Sequence, residues 1–385
     1  MTTTLIKNCR IVSPDLEAPG AAIEIEGTGI KSLYLQGSVL PKTAHVYDAG
    51  GRMAMPGFID IHTHGAMGFD VMDGTDEAIE TIATAKLREG VTTFLPTTLT
   101  IAEPPLTKAA AAVARYQNNP QKQTARIPGL HLEGPFINPR FIGAQNPEFV
   151  RTPDLDEVWR LNAIAKVMIV SYAIEMEGDL DFTAALLAHG IVPSCAHSNA
   201  THAQFRQARR KGLKQLTHFC NQMSPLHHRE IGLVGSGLLD DDVMVEAICD
   251  QIHLCPDMIK LIFKIKPIER IAVITDSMLA SGLPDGEYLL GGLATVVKDR
   301  IARLQSNGAL AGGTIPYYQA VKNIFELTGL PLSQLIKTTG YNQARSLGLK
   351  HLAKLEAGYT ADIVILDDTF TPVSVWVGGE PKWQR

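Results

Sequence analysis

Short runs of apolar or alternating residues recur along the middle of the chain, and most are followed by a stretch with helical periodicity. The pattern predicts strands at 57–62, 91–97, 127–133, 167–174, 191–197, 215–219, 244–250 and 271–276. The helix-like stretches among them include 76–88, 181–188, 200–211 and 256–263. Strands that alternate with helices are typical of βα units around a parallel sheet. Eight such strands predict an α/β fold of the (β/α)8 TIM-barrel type.

The two ends of the chain have a different pattern. Residues 1–55 contain short strand-like runs separated by turn residues, and the C-terminal stretch after residue 360 does the same. Neither piece alone has enough strands for an independent sheet. We therefore expect residues 1–55 and 356–385 to form one small β-sandwich domain, with a barrel of residues 56–355 inserted between its halves.

Composition and charge limit the kinds of partner that the protein can bind. The chain has 385 residues, with 35 Lys and Arg against 40 Asp and Glu, a formal net charge of −5. This balance argues against a nucleic-acid partner bound through a broad basic surface. Because no apolar run approaches the roughly 20 residues that span a bilayer, and the N-terminus lacks a secretory signal pattern, we expect no membrane partner.

Cysteine usage predicts the compartment. The cysteines are Cys9, Cys195, Cys220, Cys249 and Cys255, and none of them forms a CxxC pair. An odd number of scattered cysteines in a large chain is not typical of a disulfide framework. The sequence therefore predicts a protein of the reducing cytoplasm.

Metal-ligating residue types stand at the ends of several predicted strands. His62 and His64 end the first strand and, two residues apart, face the same side. Glu133 ends the third strand, His197 ends the fifth and His218 lies in the sixth. The functional groups of a TIM barrel come from the carboxyl ends of its strands, so these side chains converge if the barrel closes. Imidazole and carboxylate ligands together suit zinc or iron.

Asp276, at the end of the eighth predicted strand, is the candidate general base. A metal bound by the ligands above lowers the pKa of a water toward about 7 and polarises a carbonyl group. Hydrolysis of an amide still needs a group that takes the water's proton and gives it to the leaving amine. Asp276 could instead cap a helix, but its strand-end position on the rim that carries the ligands favours the base. His131 shares the face of Glu133 one layer deeper, and we interpret it as structural.

Longer segments of the chain resemble the N-acetylglucosamine-6-phosphate deacetylases of the amidohydrolase superfamily. The resemblance covers nearly the whole length, including PGFIDIHTHG at 56–65, LEGPFINP at 132–139, GAQNP at 143–147, HSNAT at 197–201, THFCNQMSPLHHRE at 217–230, ITDSM at 274–278, GALAGG at 308–313 and AGYTADIVILD at 357–367. It implies a metal-dependent barrel that hydrolyses the acetamide of N-acetylglucosamine 6-phosphate to glucosamine 6-phosphate and acetate, in amino-sugar catabolism.

The resemblance also implies a metal centre with zinc or iron, one or two ions per subunit. Glu133, His197 and His218 match the ligands of the metal that all active members hold. His62 and His64 match a pair that is retained in members able to hold a second metal.

Further roles follow from the same resemblance. Asp276 matches the catalytic aspartate, and His253 matches a histidine that polarises the amide carbonyl and contacts the substrate. The positions that match substrate-binding segments are Ala144, Gln145, Asn221, Gln222, Arg229, Leu310, Ala311 and Gly312. Arginine is suited to bidentate phosphate contact. Members of the family contribute this arginine across a dimer interface, so the resemblance implies a homodimer.

The chain departs from the family pattern at several pocket positions. Gln145 stands where the motif GAHNP has a histidine, Gln222 replaces a small residue, and Gln251 replaces the glycine of a DG pair. Ile231 replaces the proline of REPG, and Gly313 replaces the serine of LAGS. None of these positions is a predicted metal ligand or the base. The glutamines therefore bear on which sugar hydroxyls find hydrogen-bond partners.

Three other functions compete with the leading hypothesis. The segments PLHHRE and DVMDGT are also similar to N-acetylgalactosamine-6-phosphate deacetylases, so the C4 epimer is an alternative substrate. A sugar-phosphate-binding protein that does not hydrolyse its ligand is a second alternative, favoured by the pocket glutamines. A ring-opening amidase of the dihydroorotase type would need a carboxylated lysine at the end of the fourth strand, whereas Lys166 precedes that strand.

Overall fold

The computed structural model describes residues 3–178 and 181–385. The strands are β1 (Thr3–Ser13), β2 (Leu16–Glu26), β3 (Gly29–Tyr34), β4 (His45–Asp48), β5 (Met53–Pro56), β6 (Phe58–Thr63), β7 (Gly65–Ala66), β8 (Phe69–Asp70), β9 (Val91–Pro96), β10 (Leu130–Glu133), β11 (Val167–Tyr172), β12 (Val192–Cys195), β13 (Gln215–Leu216), β14 (Met244–Ile248), β15 (Ile271–Ile274), β16 (Gly286–Leu290), β17 (Leu293–Lys298), β18 (Ile301–Leu304), β19 (Ile363–Leu366), β20 (Pro372–Val377) and β21 (Glu380–Gln384).

The helices lie mostly between the strands of the central region. They are α1 (Asp76–Arg88), α2 (Glu103–Asn118), α3 (Leu155–Ile164), α4 (Phe182–Ala188), α5 (His202–Lys211), α6 (Gly232–Leu239), α7 (Pro256–Ile265), α8 (Tyr317–Thr328), α9 (Leu332–Leu335) and α10 (Tyr341–Ser346). Among the described residues, no helix is both long enough and apolar enough to cross a membrane.

Eight strands in the middle of the chain form a curled parallel sheet. Six pair in the order β10-β11-β12-β13-β14-β15, and β6 pairs with β9. Parallel bridges join Thr97 to His131 and Thr63 to Ser277, so both ends of the six-stranded group contact the β6–β9 pair. Every residue of these strands is buried, as expected where helices cover a parallel sheet. The predicted α/β class with a parallel sheet is confirmed.

Both ends of the chain enter one further sheet. Its strands run in the order β21-β20-β19-β5-β1-β2-β3, and β4 also pairs with β1. Apolar side chains from its N-terminal and C-terminal strands share a buried cluster that includes Ile6, Ile23, Ile363 and Trp376. The N-terminal and C-terminal strands therefore stabilise each other, because neither group buries this cluster alone.

A three-stranded antiparallel sheet, β16-β17-β18, lies between β15 and α8, and the sequence pattern did not predict it. It contacts the segment that follows β18, because Arg303 forms a bridge with Leu310 and the Ala311 N–H donates to the Ala302 carbonyl. The sheet thus fixes the backbone of the predicted substrate-binding segment 310–312.

A buried lysine connects the first and last strands of the parallel sheet beneath their carboxyl ends. Lys86, on α1, is fully buried. Its Nζ lies 3.4 Å from Asp60 Oδ2, 3.2 Å from Glu89 Oε2 and 3.1 Å from Thr275 Oγ1. Asp60 belongs to β6 and Thr275 follows β15, so one ammonium group bridges these two strands where they meet and also pairs with Glu89 after α1.

We expect Lys86→Met to destabilise the fold by about 3–5 kcal/mol, because removal of one partner leaves Asp60 and Glu89 buried without a cation. Denaturant unfolding followed by circular dichroism measures this loss. Arg88→Met, at an exposed position of the same helix, is the matched control and should change the free energy of unfolding by less than about 0.5 kcal/mol. Equal stability of the two variants would contradict this role for Lys86.

Candidate metal centre and active site

The predicted ligands meet at the carboxyl edge of the parallel sheet. His62 lies in β6 and Glu133 ends β10, while His197, His218 and Asp276 each follow a strand by two residues. Parallel strands bring their carboxyl ends to one edge, so groups distant in sequence become neighbours there. Residues 133, 197, 218 and 276 thereby surround one buried position.

Glu133, His197 and His218 form a compact group. Glu133 Oε1 lies 2.9 Å from His218 Nε2 and 3.4 Å from His197 Nε2, and the two Nε2 atoms are 3.1 Å apart. All three side chains are buried, and their ligand atoms could share one metal ion. Two imidazoles and a carboxylate that leave a position open are typical of catalytic zinc sites.

His62 and His64 form a second group on the other side of Glu133. Their Nε2 atoms are 3.1 Å apart, and Glu133 Oε2 lies 3.3 Å from His64 Nε2. Asp276 Oδ1 lies 3.2 Å from His64 Nε2 and 3.4 Å from His62 Nε2. Glu133 Oε1 also lies 3.7 Å from His62 Nε2, so this carboxylate contacts the histidines of both groups.

Hydrogen bonds at Nδ1 orient His64 and His197, whereas His218 Nδ1 is buried without a hydrogen-bond partner among the described residues. His197 Nδ1 lies 2.7 Å from the Phe141 carbonyl oxygen, and His64 Nδ1 lies 3.2 Å from the Thr97 carbonyl oxygen. These carbonyl oxygens accept a hydrogen bond from the Nδ1–H, which leaves Nε2 with a lone pair that faces the other ligands. Such contacts prepare imidazoles for metal binding.

The charges of the metal-ligand cluster, His62, His64, Glu133, His197, His218 and Asp276, favour a bound cation. Burial alone would lower the pKa of His62, but the carboxylates of Asp276 and Glu133 override it and raise that pKa to about 9. Burial alone would raise the pKa of Glu133, yet the adjacent histidines hold it well below the ordinary range. Imidazole nitrogens 3.1 Å apart around ionised carboxylates are a donor set that fits a divalent metal ion.

The segments that carry the cluster have an unusual backbone. His197, His218 and Asp276 have φ angles of 45°, 33° and 50°, and Gln222 has 51°. Non-glycine residues rarely adopt this left-handed conformation, and such residues cluster at functional sites. The packed strand ends therefore hold these side chains in positions that the isolated segments would not favour.

The cluster opens into a cavity of about 170 Å³. The predicted site residues that line it are His64, Glu133, Ala144, Gln145, His197, His218, Asn221, Gln222, His253, Asp276, Leu310 and Gly312. His253 Nδ1 lies 2.7 Å from Asp250 Oδ2, a bond that fixes the orientation of the ring.

Three predicted site residues lie outside that lining. His62 is fully buried beneath the cavity, and Ala311 is buried between two lining residues. Arg229 is exposed, and its guanidinium contacts His228 Nε2 at 2.8 Å. A phosphate contact from Arg229 in a cavity of its own chain therefore has no support in this geometry.

His131 and Glu246 lie behind the cluster. His131 Nδ1 lies 2.8 Å from the Ile61 carbonyl oxygen and its Nε2 lies 2.6 Å from Ser171 Oγ, which fits the structural role expected for it. Glu246 was missed by the sequence analysis. Its Oε2 lies 3.0 Å from His62 Nδ1 and accepts the His218 N–H at 3.1 Å. A single acidic residue inside an apolar strand, MVEAI, is the signal that could have identified it.

We expect Glu246→Gln to weaken metal binding at His62 and His64 by about 10- to 100-fold, because a neutral amide orients the His62 imidazole less strongly than a carboxylate does. Titration of the metal-free protein with Zn²⁺ measures this effect. Glu287→Gln, at an exposed position on β16, is the control. An unchanged affinity in Glu246→Gln would show that this carboxylate does not support the centre.

Comparisons with known proteins agree with this geometry. The amidohydrolase family matches residues 53–382. The chain is 36% identical over 323 residues to an N-acetylglucosamine-6-phosphate deacetylase of Lysinibacillus sphaericus, which covers 83% of each chain. It is also 36% identical over 348 residues to an N-acetylgalactosamine-6-phosphate deacetylase of Escherichia coli O157:H7, with 89% of this chain and 91% of the relative covered.

A solved structure extends the similarity to three dimensions. A mutant N-acetyl-D-glucosamine-6-phosphate deacetylase of Mycobacterium smegmatis, in complex with N-acetyl-D-glucosamine-6-phosphate, superposes with a TM-score of 0.92 at 29% identity. The superposition covers 99% of this chain and all of the other. The chain therefore belongs to the amidohydrolase family and, within it, to the family of the N-acetylglucosamine-6-phosphate deacetylases.

Proposed function

We propose that the protein is a metal-dependent deacetylase that converts N-acetylglucosamine 6-phosphate to glucosamine 6-phosphate and acetate. The observation that carries the proposal is the meeting of Glu133, His197, His218 and Asp276 in one cavity. The named relatives supply the substrate, because they share most of the chain with this protein. The role in amino-sugar catabolism follows from that reaction.

Glu133, His197 and His218 would hold the first metal ion, zinc or iron, and His62 and His64 would serve a second where one binds. A divalent ion at such a site lowers the pKa of water and polarises the amide carbonyl. The buried, negatively charged surroundings support a cation, and both metals accept imidazole and carboxylate ligands.

Asp276 would move the proton that the reaction requires. Its carboxylate lines the cavity beside His64 and can accept the proton of the attacking water as the oxygen–carbon bond forms. It then gives that proton to the amide nitrogen as the carbon–nitrogen bond breaks. One group thus acts first as base and then as acid, and the products are acetate and a free amine.

His253 and the lining residues would orient the substrate. Asp250 occupies His253 Nδ1, so Nε2 remains to polarise the carbonyl and steady the oxyanion. The predicted sugar contacts come from Ala144, Gln145, Asn221, Gln222, Leu310, Ala311 and Gly312. Arg229 would bind the phosphate of a second subunit's substrate in a homodimer, which its exposed position outside the cavity of its own chain supports.

The proposal also includes a closed barrel, a small β-sandwich domain and a location in the cytoplasm. The bridges at both ends of the six-stranded group support a closed (β/α)8 barrel of residues 56–355. The shared sheet of the two chain ends supports one small β-sandwich domain, formed by residues 1–55 and 356–385. All five cysteines are free thiols, which supports the reducing cytoplasm.

N-acetylgalactosamine 6-phosphate is the second candidate substrate. The E. coli relative that bears this specificity is as similar to the chain as the N-acetylglucosamine-6-phosphate deacetylase of L. sphaericus. The glutamines of the cavity, Gln145 and Gln222, change the hydrogen-bond partners that the sugar meets. The epimers differ only at C4, so one assay with both sugars separates the two candidates.

The test is acetate release from both epimeric sugar phosphates by metal-free protein and by protein reloaded with Zn²⁺ or Fe²⁺. We expect no release without metal and release from N-acetylglucosamine 6-phosphate after reloading. A preference for N-acetylgalactosamine 6-phosphate would change the proposed substrate and leave the proposed reaction unchanged. Binding of both sugars without acetate release, with metal present, would refute hydrolysis and leave a sugar-phosphate-binding protein.

A further inference from the structure

Gln145 has both ends of its side chain engaged. Its Oε1 accepts the Thr100 N–H at 2.7 Å, and its Nε2 donates to Glu133 Oε2 at 2.7 Å. The residue is 6% exposed, and its own N–H donates to the Ile142 carbonyl at 3.0 Å. Although the side chain lines the cavity, its strongest contacts are within the protein.

The orientation of this amide is fixed by its partners. If the oxygen and nitrogen exchanged places, the amide hydrogens would face the Thr100 N–H, and the amide oxygen would face the Glu133 carboxylate. Both contacts would then be repulsive at 2.7 Å. Gln145 is therefore a hydrogen-bond donor to Glu133. Because a side-chain amide does not lose a proton, it stays a donor at every pH.

The oxygen that receives this bond is the one that faces the second group of ligands. Glu133 Oε1 lies 2.9 Å from His218 Nε2 and 3.4 Å from His197 Nε2, and it is 3.7 Å from His62 Nε2. Oε2 is the nearer oxygen to the second group, at 3.3 Å from His64 Nε2. A second cation beside His64 would have to share Oε2 with the Gln145 amide. The positive end of that N–H would lie next to the cation, which weakens its binding.

The charge balance also weakens the binding of a second cation. Two divalent cations bring four positive charges, and the carboxylates near the imidazoles are Glu133, Asp276 and Glu246. The first cation already uses the charge of Glu133. The second is left with Asp276 and with Glu246, which faces the far nitrogen of His62.

We propose that Gln145 is a positioning residue that restricts the chain to one tightly bound divalent cation, held by Glu133, His197 and His218. By holding Glu133 Oε2, it keeps that oxygen from a second cation at His62 and His64. The inference rests on the proposed function only for the presence of the first cation.

The experiment is a calorimetric titration of the metal-free, full-length protein with Zn²⁺, together with metal analysis of the protein at defined free Zn²⁺. We expect one tight equivalent in the unmodified chain and a second at least about 100-fold weaker. Gln145→Met keeps the side-chain volume but removes the donor. In this variant the gap, meaning the ratio between the affinities of the first and the second equivalent, should shrink about 10-fold or more. In Gln222→Met, which changes the other glutamine of the cavity, the gap should stay the same.

Gln145→Glu is the second variant, because it replaces the donor with a negative charge and should tighten the second equivalent further. Two equivalents of similar affinity in the unmodified chain, or an unchanged gap in both Gln145 variants, would overturn the proposal. Acetate release is measured separately on the same samples. One bound cation without acetate release would refute the proposed function and leave the role of Gln145 standing. Two tightly bound cations with acetate release would refute the role of Gln145 and leave the proposed function standing.

Discussion

Asp276→Asn should lose nearly all turnover while the first metal stays bound. The amide keeps the size of the carboxylate but cannot accept the proton of the attacking water. Proton transfer by a positioned side chain contributes about 10²- to 10⁴-fold to a rate, so we expect kcat to fall by about that factor. Glu133, His197 and His218 are unchanged, so the affinity for the first cation should change little. Steady-state acetate release and metal analysis of the same sample measure the two quantities.

Asp241→Asn is the control for this variant, because Asp241 is exposed and lies before β14, outside the cavity lining. It should retain full activity and full metal content. Substantial residual activity in Asp276→Asn would remove the aspartate from the mechanism. Loss of metal together with activity would instead make Asp276 a ligand and leave the base unassigned.

Much of this centre could be predicted from sequence because of one property of parallel sheets. Strands of a (β/α) unit all end at the same edge, so His197 and His218 meet although they come from different units. The apolar runs around them locate the strands, and the polar residue that ends a run marks the edge. The pairing of Glu133 with these histidines follows without knowledge of any contact.

Other parts of the centre depend on packing across the sheet. Glu246 lies inside the buried strand β14, and only the register of neighbouring strands brings its carboxylate to His62 Nδ1. Gln145 belongs to a loop, so its contact with Glu133 requires knowledge of the loop path. The strands of the sheet β16-β17-β18 are short and half-exposed, and their sequences GEYLL and LATVVK contain adjacent apolar residues in place of a regular apolar–polar alternation, which explains why the pattern did not predict them.

Glu133 is the residue on which these observations converge. One oxygen faces the first pair of histidines, and the other receives the Gln145 amide beside His64. Among the ion pairs of the described residues, its carboxylate is the only one that contacts the imidazole rings of His197 and His218. Removal of that charge should therefore weaken metal binding more than it changes the fold.

Glu133→Gln should weaken binding of the first cation by more than about 100-fold, since loss of a direct ligand exceeds the 10- to 100-fold effect of changing an outer partner. Activity should fall in proportion to the bound metal and recover only in part at high free Zn²⁺. Glu148→Gln, an exposed change on the segment that follows Gln145, is the matched control and should bind metal normally. Normal metal content in Glu133→Gln would place the cation elsewhere, whereas metal loss with an unchanged circular dichroism spectrum would identify Glu133 as the carboxylate that holds it.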